Sequence, residues 1–72
     1  MDETVLVKYS AKRRVYVDDQ LCGVTRHKFL VETGTHTFTL GEPVTYTPAS
    51  ITVQVTDTTP AEPFVIVFEA EL

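Results

Sequence analysis

The sequence predicts an all-β domain: a small antiparallel β-sandwich of about six or seven strands, of immunoglobulin-like or Greek-key type. Three observations predict it. The 72 residues include twelve threonines and eleven valines, β-branched side chains that are stiff at χ1 and pack well on a pleated surface. Strand-like runs recur about every 8–14 residues, with turn signals between them. No window keeps the three- and four-residue apolar spacing of a helix, and four prolines interrupt any stretch long enough to try.

Taken in order, Thr4 to Ser10 reads as the first strand, with Val5, Val7 and Tyr9 on one face by the two-residue period of extended chain. Ala11-Lys12-Arg13 is a polar turn. Arg14 to Asp18 is the second strand, Val15 and Val17 on one face and Tyr16 on the other. Asp18-Asp19-Gln20 ends it, because aspartate bonds to its own backbone in turns, and Gly23 follows at a position suited to positive φ. Lys28 to Glu32 is the third strand and Thr33-Gly34 the next turn. His36 to Leu40 is the clearest strand: His36, Phe38 and Leu40 point one way, Thr35, Thr37 and Thr39 the other. Gly41 to Ala49, with two prolines, is a connection or a weak edge segment. Ser50 to Thr56 sends Ile51, Val53 and Val55 inward. After a turn holding Pro60 and Pro63, Phe64 to Phe68 is apolar on both faces, as a strand inside the stack would be, and Glu69 to Leu72 is expected to fray.

The expected core is Val7, Val15, Val17, Phe29, Val31, Phe38, Leu40, Ile51, Val53, Val55, Phe64, Ile66 and Phe68. The chain makes a single domain over 1–72. A domain this short hides only roughly 60% of the surface its unfolded chain exposes, so that core is thin. A single cysteine, Cys22, rules out an intrachain disulfide. Stability of about 3–5 kcal/mol therefore rests on packing and the sheets.

The formal charge is −4, unevenly spread: all six basic residues lie in the first 28 positions, and positions 29–72 carry six acids and no Lys or Arg. An acidic protein repels phosphate backbones, so no nucleic-acid partner is expected. Val5-Leu6-Val7 is far shorter than the apolar core of a secretory signal, and acids precede it. No run approaches the ~20 apolar residues of a membrane-spanning helix, and no membrane insertion is expected.

Cys22 with nearby His27 resembles a nucleophile pair, but catalysis also needs an orienting group and an oxyanion site, and nothing adjacent completes such a set. A thiol beside a turn is read as a small hydrophobe. Cys22, His27 and His36 fit no standard zinc spacing even with Asp18 or Asp19 added, and His36 is read as a hydrogen-bonded brace of the sheet. Adjacent Asp18 and Asp19 suit a tight turn better than a calcium loop or a glycosidase pair. No metal, cofactor or catalytic residue is expected. The one candidate partner-binding surface is basic: Lys12, Arg13 and Arg14 with Arg26 and Lys28. On loops at one end of the domain they would recognise an acidic partner or an anionic glycan. The Thr35, Thr37, Thr39 and Thr52, Gln54, Thr56 stripes are the solvent faces of ordinary half-buried strands.

Val15-Tyr16-Val17-Asp18-Asp19, Gly23-Val24-Thr25 and Gly34-Thr35-His36, followed by the alternating strand to Leu40, together resemble the PEGA domain over about residues 14–68. That family carries a strand ending in Val-Asp-Gly, a Gly-x-Thr-Pro turn, then Gly-x-His before an alternating strand. Here Asp19 stands for the glycine, Arg26 for the proline after Thr25, and Thr33 for the proline before Gly34. The resemblance implies a β-sandwich attached to larger bacterial or archaeal proteins at the cell surface or in the periplasm, accessory rather than enzymatic. The expected function is thus a non-enzymatic interaction or spacer module binding a partner protein or cell-envelope component. The second expectation is a small carbohydrate-binding domain, for which Tyr9, Tyr16 and Tyr46 are the only sugar platforms in a chain without tryptophan.

Overall fold

Apolar-polar alternation becomes nine strands in a computed structural model that describes residues 1–71. They are β1 (Asp2–Lys8), β2 (Arg14–Val17), β3 (Gln20–Val24), β4 (Lys28–Glu32), β5 (Gly34–Thr39), β6 (Tyr46–Thr47), β7 (Ile51–Val55), β8 (Phe64–Val67) and β9 (Glu69–Ala70). Three sheets result, in the orders β4-β1-β8, β3-β2-β5-β7 and β6-β9. No helix among the described residues is long and apolar enough to cross a membrane.

The two larger sheets share one core. Val5, Val7, Val31 and Ile66 come from the first, and Val15, Val17, Phe38 and Val55 from the second; Leu40, Tyr46 and Phe68 complete the cluster. Of the expected core, Phe29, Ile51, Val53 and Phe64 are only partly buried and pack at its margin. Val5 and Tyr46 join it instead. Tyr46 is 2% exposed although it lies in the proline-rich stretch. Its hydroxyl donates to Gly41 O at 2.7 Å and accepts from Leu40 N at 3.2 Å, so the ring is buried with its polar tip satisfied. It also meets Phe68 edge-on, the centroids 5.4 Å apart.

Several expectations need correction. The sheets are not wholly antiparallel: β1 pairs antiparallel with β4 but parallel with β8, in a register that sets Val5 opposite Phe64 and Val7 opposite Ile66. Residues 56–63 carry the chain from the second sheet back to the first, and the strand direction follows from that crossover, which local periodicity cannot encode. Next, residues 20–24 form β3 rather than a turn. Asp18 and Asp19 take φ of 51° and 67°, consecutive positive values that make a two-residue hairpin linking β2 to β3, with Val17 opposite Gln20. Gly23 accordingly sits inside β3, not at a positive-φ turn. It is glycine because a β-carbon there would lie 2.7 Å from Phe29 Cγ. Finally, β8 is an edge strand, not an interior one: Val65 and Val67 are 45% and 52% exposed. Glu69 and Ala70, expected to fray, pair with Tyr46 and Thr47; Leu72 lies outside the described residues.

Two substitutions test this packing. Phe38 is fully buried, and Phe38→Ala is expected to cost about 3–5 kcal/mol, which leaves the variant unfolded. A cooperative thermal transition near the wild-type temperature would take Phe38 out of the core. Gly23→Ala must push the Phe29 ring aside, at a cost of about 1–3 kcal/mol. Urea titration should show a lower midpoint with an unchanged slope.

Candidate functional site

Loops 11–13 and 25–27 meet at one end of the domain because Thr25 joins them. Fully buried, it donates its hydroxyl to Ala11 O at 2.8 Å and accepts from Arg13 N at 2.9 Å, while Thr25 N donates to Arg13 O at 2.8 Å. Arg26 follows with φ of 69°, and its amide donates to Val7 O at 2.8 Å. The two basic clusters therefore share one end, but their side chains diverge. The Arg13 guanidinium turns inward across the 40–45 loop. It donates to Leu40 O at 3.2 Å, Gly41 O at 3.3 Å, Pro43 O at 2.9 Å and Thr45 Oγ1 at 3.3 Å, with its Cζ 5.3 Å from the centroid of Tyr46. Arginine's planar fork suits such a carbonyl cluster, and the residue braces a loop. Lys28 Nζ donates to Pro60 O, tying β4 to the 57–63 loop.

Lys12 and Arg14 stay exposed and line a surface cavity of about 300 Å³ with Arg13, Tyr16, Leu40 and Glu42. Exposed Arg26 joins a cation absent from the expected set, Lys8, around a shallow cavity of about 350 Å³ floored by Leu6 and Tyr9. Lys8 ends a strand, so its charge was not legible as part of a loop cluster. The tyrosines are largely committed to packing. Tyr46 is buried. Tyr9 donates its hydroxyl to Thr45 O at 3.2 Å, and the Tyr16 ring covers Gly41, where a β-carbon would stand 2.6 Å from Cε2.

A third cavity, about 450 Å³, opens where β3 passes β4, lined by Asp18, Gln20, Cys22, Leu30, Glu32 and His36 among others. His36 Nδ1 lies 2.7 Å from Asp18 Oδ2 and Nε2 lies 2.6 Å from Glu32 O. Both partners are acceptors, so only the doubly protonated imidazolium makes both bonds. These bonds, Asp18 first and the Glu32 carbonyl second, hold the His36 pKa above its usual value despite partial burial. The His36 bond, with the Thr37 amide donating at 3.0 Å, holds the Asp18 carboxyl below the carboxylate norm. His36 thus ties the β2–β3 hairpin to the end of β4; Cys22 is exposed on β3. Nowhere among the described residues do three or more His, Cys, Asp or Glu side chains converge as metal ligands.

Glu3 is the other placed acid, buried at 4% exposure. It accepts from the Thr33 hydroxyl and from Thr58 N and Oγ1 at 2.9 and 2.7 Å, and these donors lower its pKa. The Thr33 bond acts most strongly. Glu3 fastens the 57–63 loop to the start of β1.

The remaining feature is the outer face of β4-β1-β8. Leu30, Val65 and Val67 are 58%, 45% and 52% exposed there, and half-buried Leu6 lies opposite Val65 on one side and Lys28 on the other. Lys8 and Arg26 border this face at one corner, Glu62 and Glu69 at the two ends of β8.

The His36 brace makes stability depend on pH. With the folded pKa raised, its contribution is complete below the unfolded value of about 6.5 and is lost as pH climbs through the folded one. Asp18 and Glu3, both depressed, act in the opposite sense: their stabilisation is present above about pH 4 and disappears in stronger acid. Urea midpoints of the wild type should therefore fall as pH rises from about 6.5 through the raised pKa, while those of His36→Gln stay level over that range. Parallel profiles for the two proteins would remove the brace.

No family model, no curated protein and no solved structure matches this chain.

Proposed function

We propose that the domain is a non-enzymatic interaction or spacer module that engages a partner protein through its outer surface. The observation that carries this reading is the exposure of Leu30, Val65 and Val67 on one sheet face, with half-buried Leu6 among them. A sheet with one face on the core ordinarily turns polar residues to water on the other. Apolar Leu30, Val65 and Val67 around Leu6, with Lys28 opposite Leu6 and Lys8, Arg26, Glu62 and Glu69 about them, have the layout of a protein interface, apolar side chains set among charges. In this reading the cations of the basic end, Arg26 foremost, belong to the rim, and Arg13 serves the fold.

The PEGA resemblance points the same way, and its motif residues have structural duties that support it. Asp18 forms the hairpin turn, Thr25 joins the loops and His36 braces the sheets. Seven strands in the two larger sheets suit an immunoglobulin-like sandwich. Two features depart from that pattern: the parallel β1-β8 pair, and the φ of 69° at Arg26, which proline's ring forbids. The carbohydrate reading gains less, since Tyr46 is buried and the Tyr16 ring covers Gly41.

Leu30→Glu tests the module without disturbing the core, because a substitution at so exposed a site changes stability by no more than about 0.5 kcal/mol. A partner captured by the immobilised wild-type domain, then purified, should bind Leu30→Glu at least about tenfold more weakly, as measured by calorimetry. Thr52→Glu, on the other sheet, should leave affinity unchanged. Equal affinity for all three proteins would remove the apolar face from the interface.

A further inference from the structure

The two sides of the domain are finished differently. On one side β3 packs beside β4, and the 25–27 turn joins the sheets. On the other, β7 and β8 are both terminal strands of their sheets, with no comparable approach between them. Natural edges are protected by charge, by bulges or by cover. The closed side has such protection: β4 carries Lys28 and Glu32, and the β2–β3 ladder slips register between Val15 and Tyr16. β8 reads Phe-Val-Ile-Val, with no charge and no proline. Phe68 N donates to Lys8 O at 3.0 Å, so by strand alternation the amides and carbonyls of Phe64 and Ile66 also face β1. Those of Val65 and Val67 face outward, where no strand of the described residues lies.

We infer that the Phe64–Val67 edge receives an extended segment of another protein as an added strand, with an uncharged β-branched centre and basic ends. The inference rests on the interaction-module reading and specifies its mode. Strand addition supplies affinity through main-chain hydrogen bonds, and exposed side chains such as Val65 and Val67 supply selectivity. The flanking charge selects the partner. Glu62 precedes the edge and Glu69 and Glu71 follow it, all exposed, and no Lys or Arg occurs after position 28. Two cations stand nearby: Lys8, one strand further in and opposite Val67, and Lys28, whose Nζ is engaged with Pro60 O on the loop before Glu62. A second copy is the wrong occupant: antiparallel pairing of two β8 strands centred on Ile66, with Val65 opposite Val67, would set Glu62 of each copy opposite Ala70 of the other, between Glu69 and Glu71. Basic ends on the incoming strand meet these same acids favourably.

The test uses the full chain and a synthetic peptide of alternating valine and threonine with lysines at both ends. Its glutamate-ended counterpart is the comparison. The lysine-ended peptide should bind and slow hydrogen exchange at the Val65 and Val67 amides, with the glutamate-ended peptide at least about tenfold weaker. Val65→Pro removes an outward N–H without touching the β1 ladder and should weaken binding about tenfold. If that variant fails to fold, Val67→Lys, at an exposed position, must produce the loss. Glu62→Lys combined with Glu69→Lys should invert the preference between peptides. Absence of binding, binding without protection at those two amides, or full affinity in a folded edge variant would each overturn strand addition. None of these results touches the Leu30→Glu comparison, which judges the broader reading separately. A concentration-dependent dimer protecting the same amides would replace the proposed partner with a second copy.

Discussion

Contact between two small sheets across a single layer of side chains is the constraint on which everything else in this domain depends. No disulfide closes the chain, since Cys22 is alone. The core cluster runs from Val5 and Val7 through Phe38 to Phe68, and it has no second layer to compensate for a defect. A chain of this length has enough strand to close one side of such a stack, and β3 against β4 closes it. The margin of the core is then left half-covered at Phe64, Ile51 and Val53. The exposed apolar residues of β8 belong to the same shortage of chain: its inner face is buried at Ile66 while its outer face and free edge meet solvent.

Polar side chains bind the connections to this core. Thr25 holds the two basic loops together, Glu3 holds the 57–63 loop, Arg13 holds the 40–45 loop, and His36 holds a hairpin to the end of β4. Each supplies donors or acceptors to backbone groups that no ladder reaches, and no buried side-chain nitrogen or oxygen among the described residues lacks a partner. The economy is notable for a chain with only one salt bridge among those residues, His36 with Asp18. The Thr25 joint, made of a neutral hydroxyl and backbone groups, is little affected by salt, whereas the His36 and Glu3 braces depend on charge and so on pH.

The two-residue period made most of the fold legible before any coordinates. β4, β5, β7 and β8 lie within two residues of where alternation sets them, and His36 is the hydrogen-bonded brace its place beside Phe38 suggests. What alternation missed has physical reasons. Leu21 is 57% exposed and Gly23 has no side chain, so β3 carries no apolar face; it is a strand because the Asp18-Asp19 turn returns the chain onto β2. Tyr46 was hidden by the prolines around it, since burial there comes from aromatic neighbours distant in sequence. Arg13 reads as a surface charge in any local window, and only the folded 40–45 loop shows the carbonyls its guanidinium serves. An apolar run such as Phe64 to Phe68 is the most ambiguous of all. An interior strand and an unprotected edge strand have the same sequence signature, and only the sheet order separates them.

That ambiguity bears on how such an edge persists. A bare, β-branched edge is a hazard for self-association, and charge at the strand ends limits it without altering the strand itself. Residues 57–71 place Asp57 and Glu62 before β8 and Glu69 and Glu71 after it. Two like copies meeting edge to edge therefore repel at both ends, while the ladder between those ends stays open. Acids within β8 would have blocked every incoming strand alike; acids outside it discriminate by the charge of what arrives. The concentration of carboxylates in the C-terminal half, which composition alone reads as a reason to exclude nucleic acid, thus gains a second physical meaning from the position of one four-residue strand.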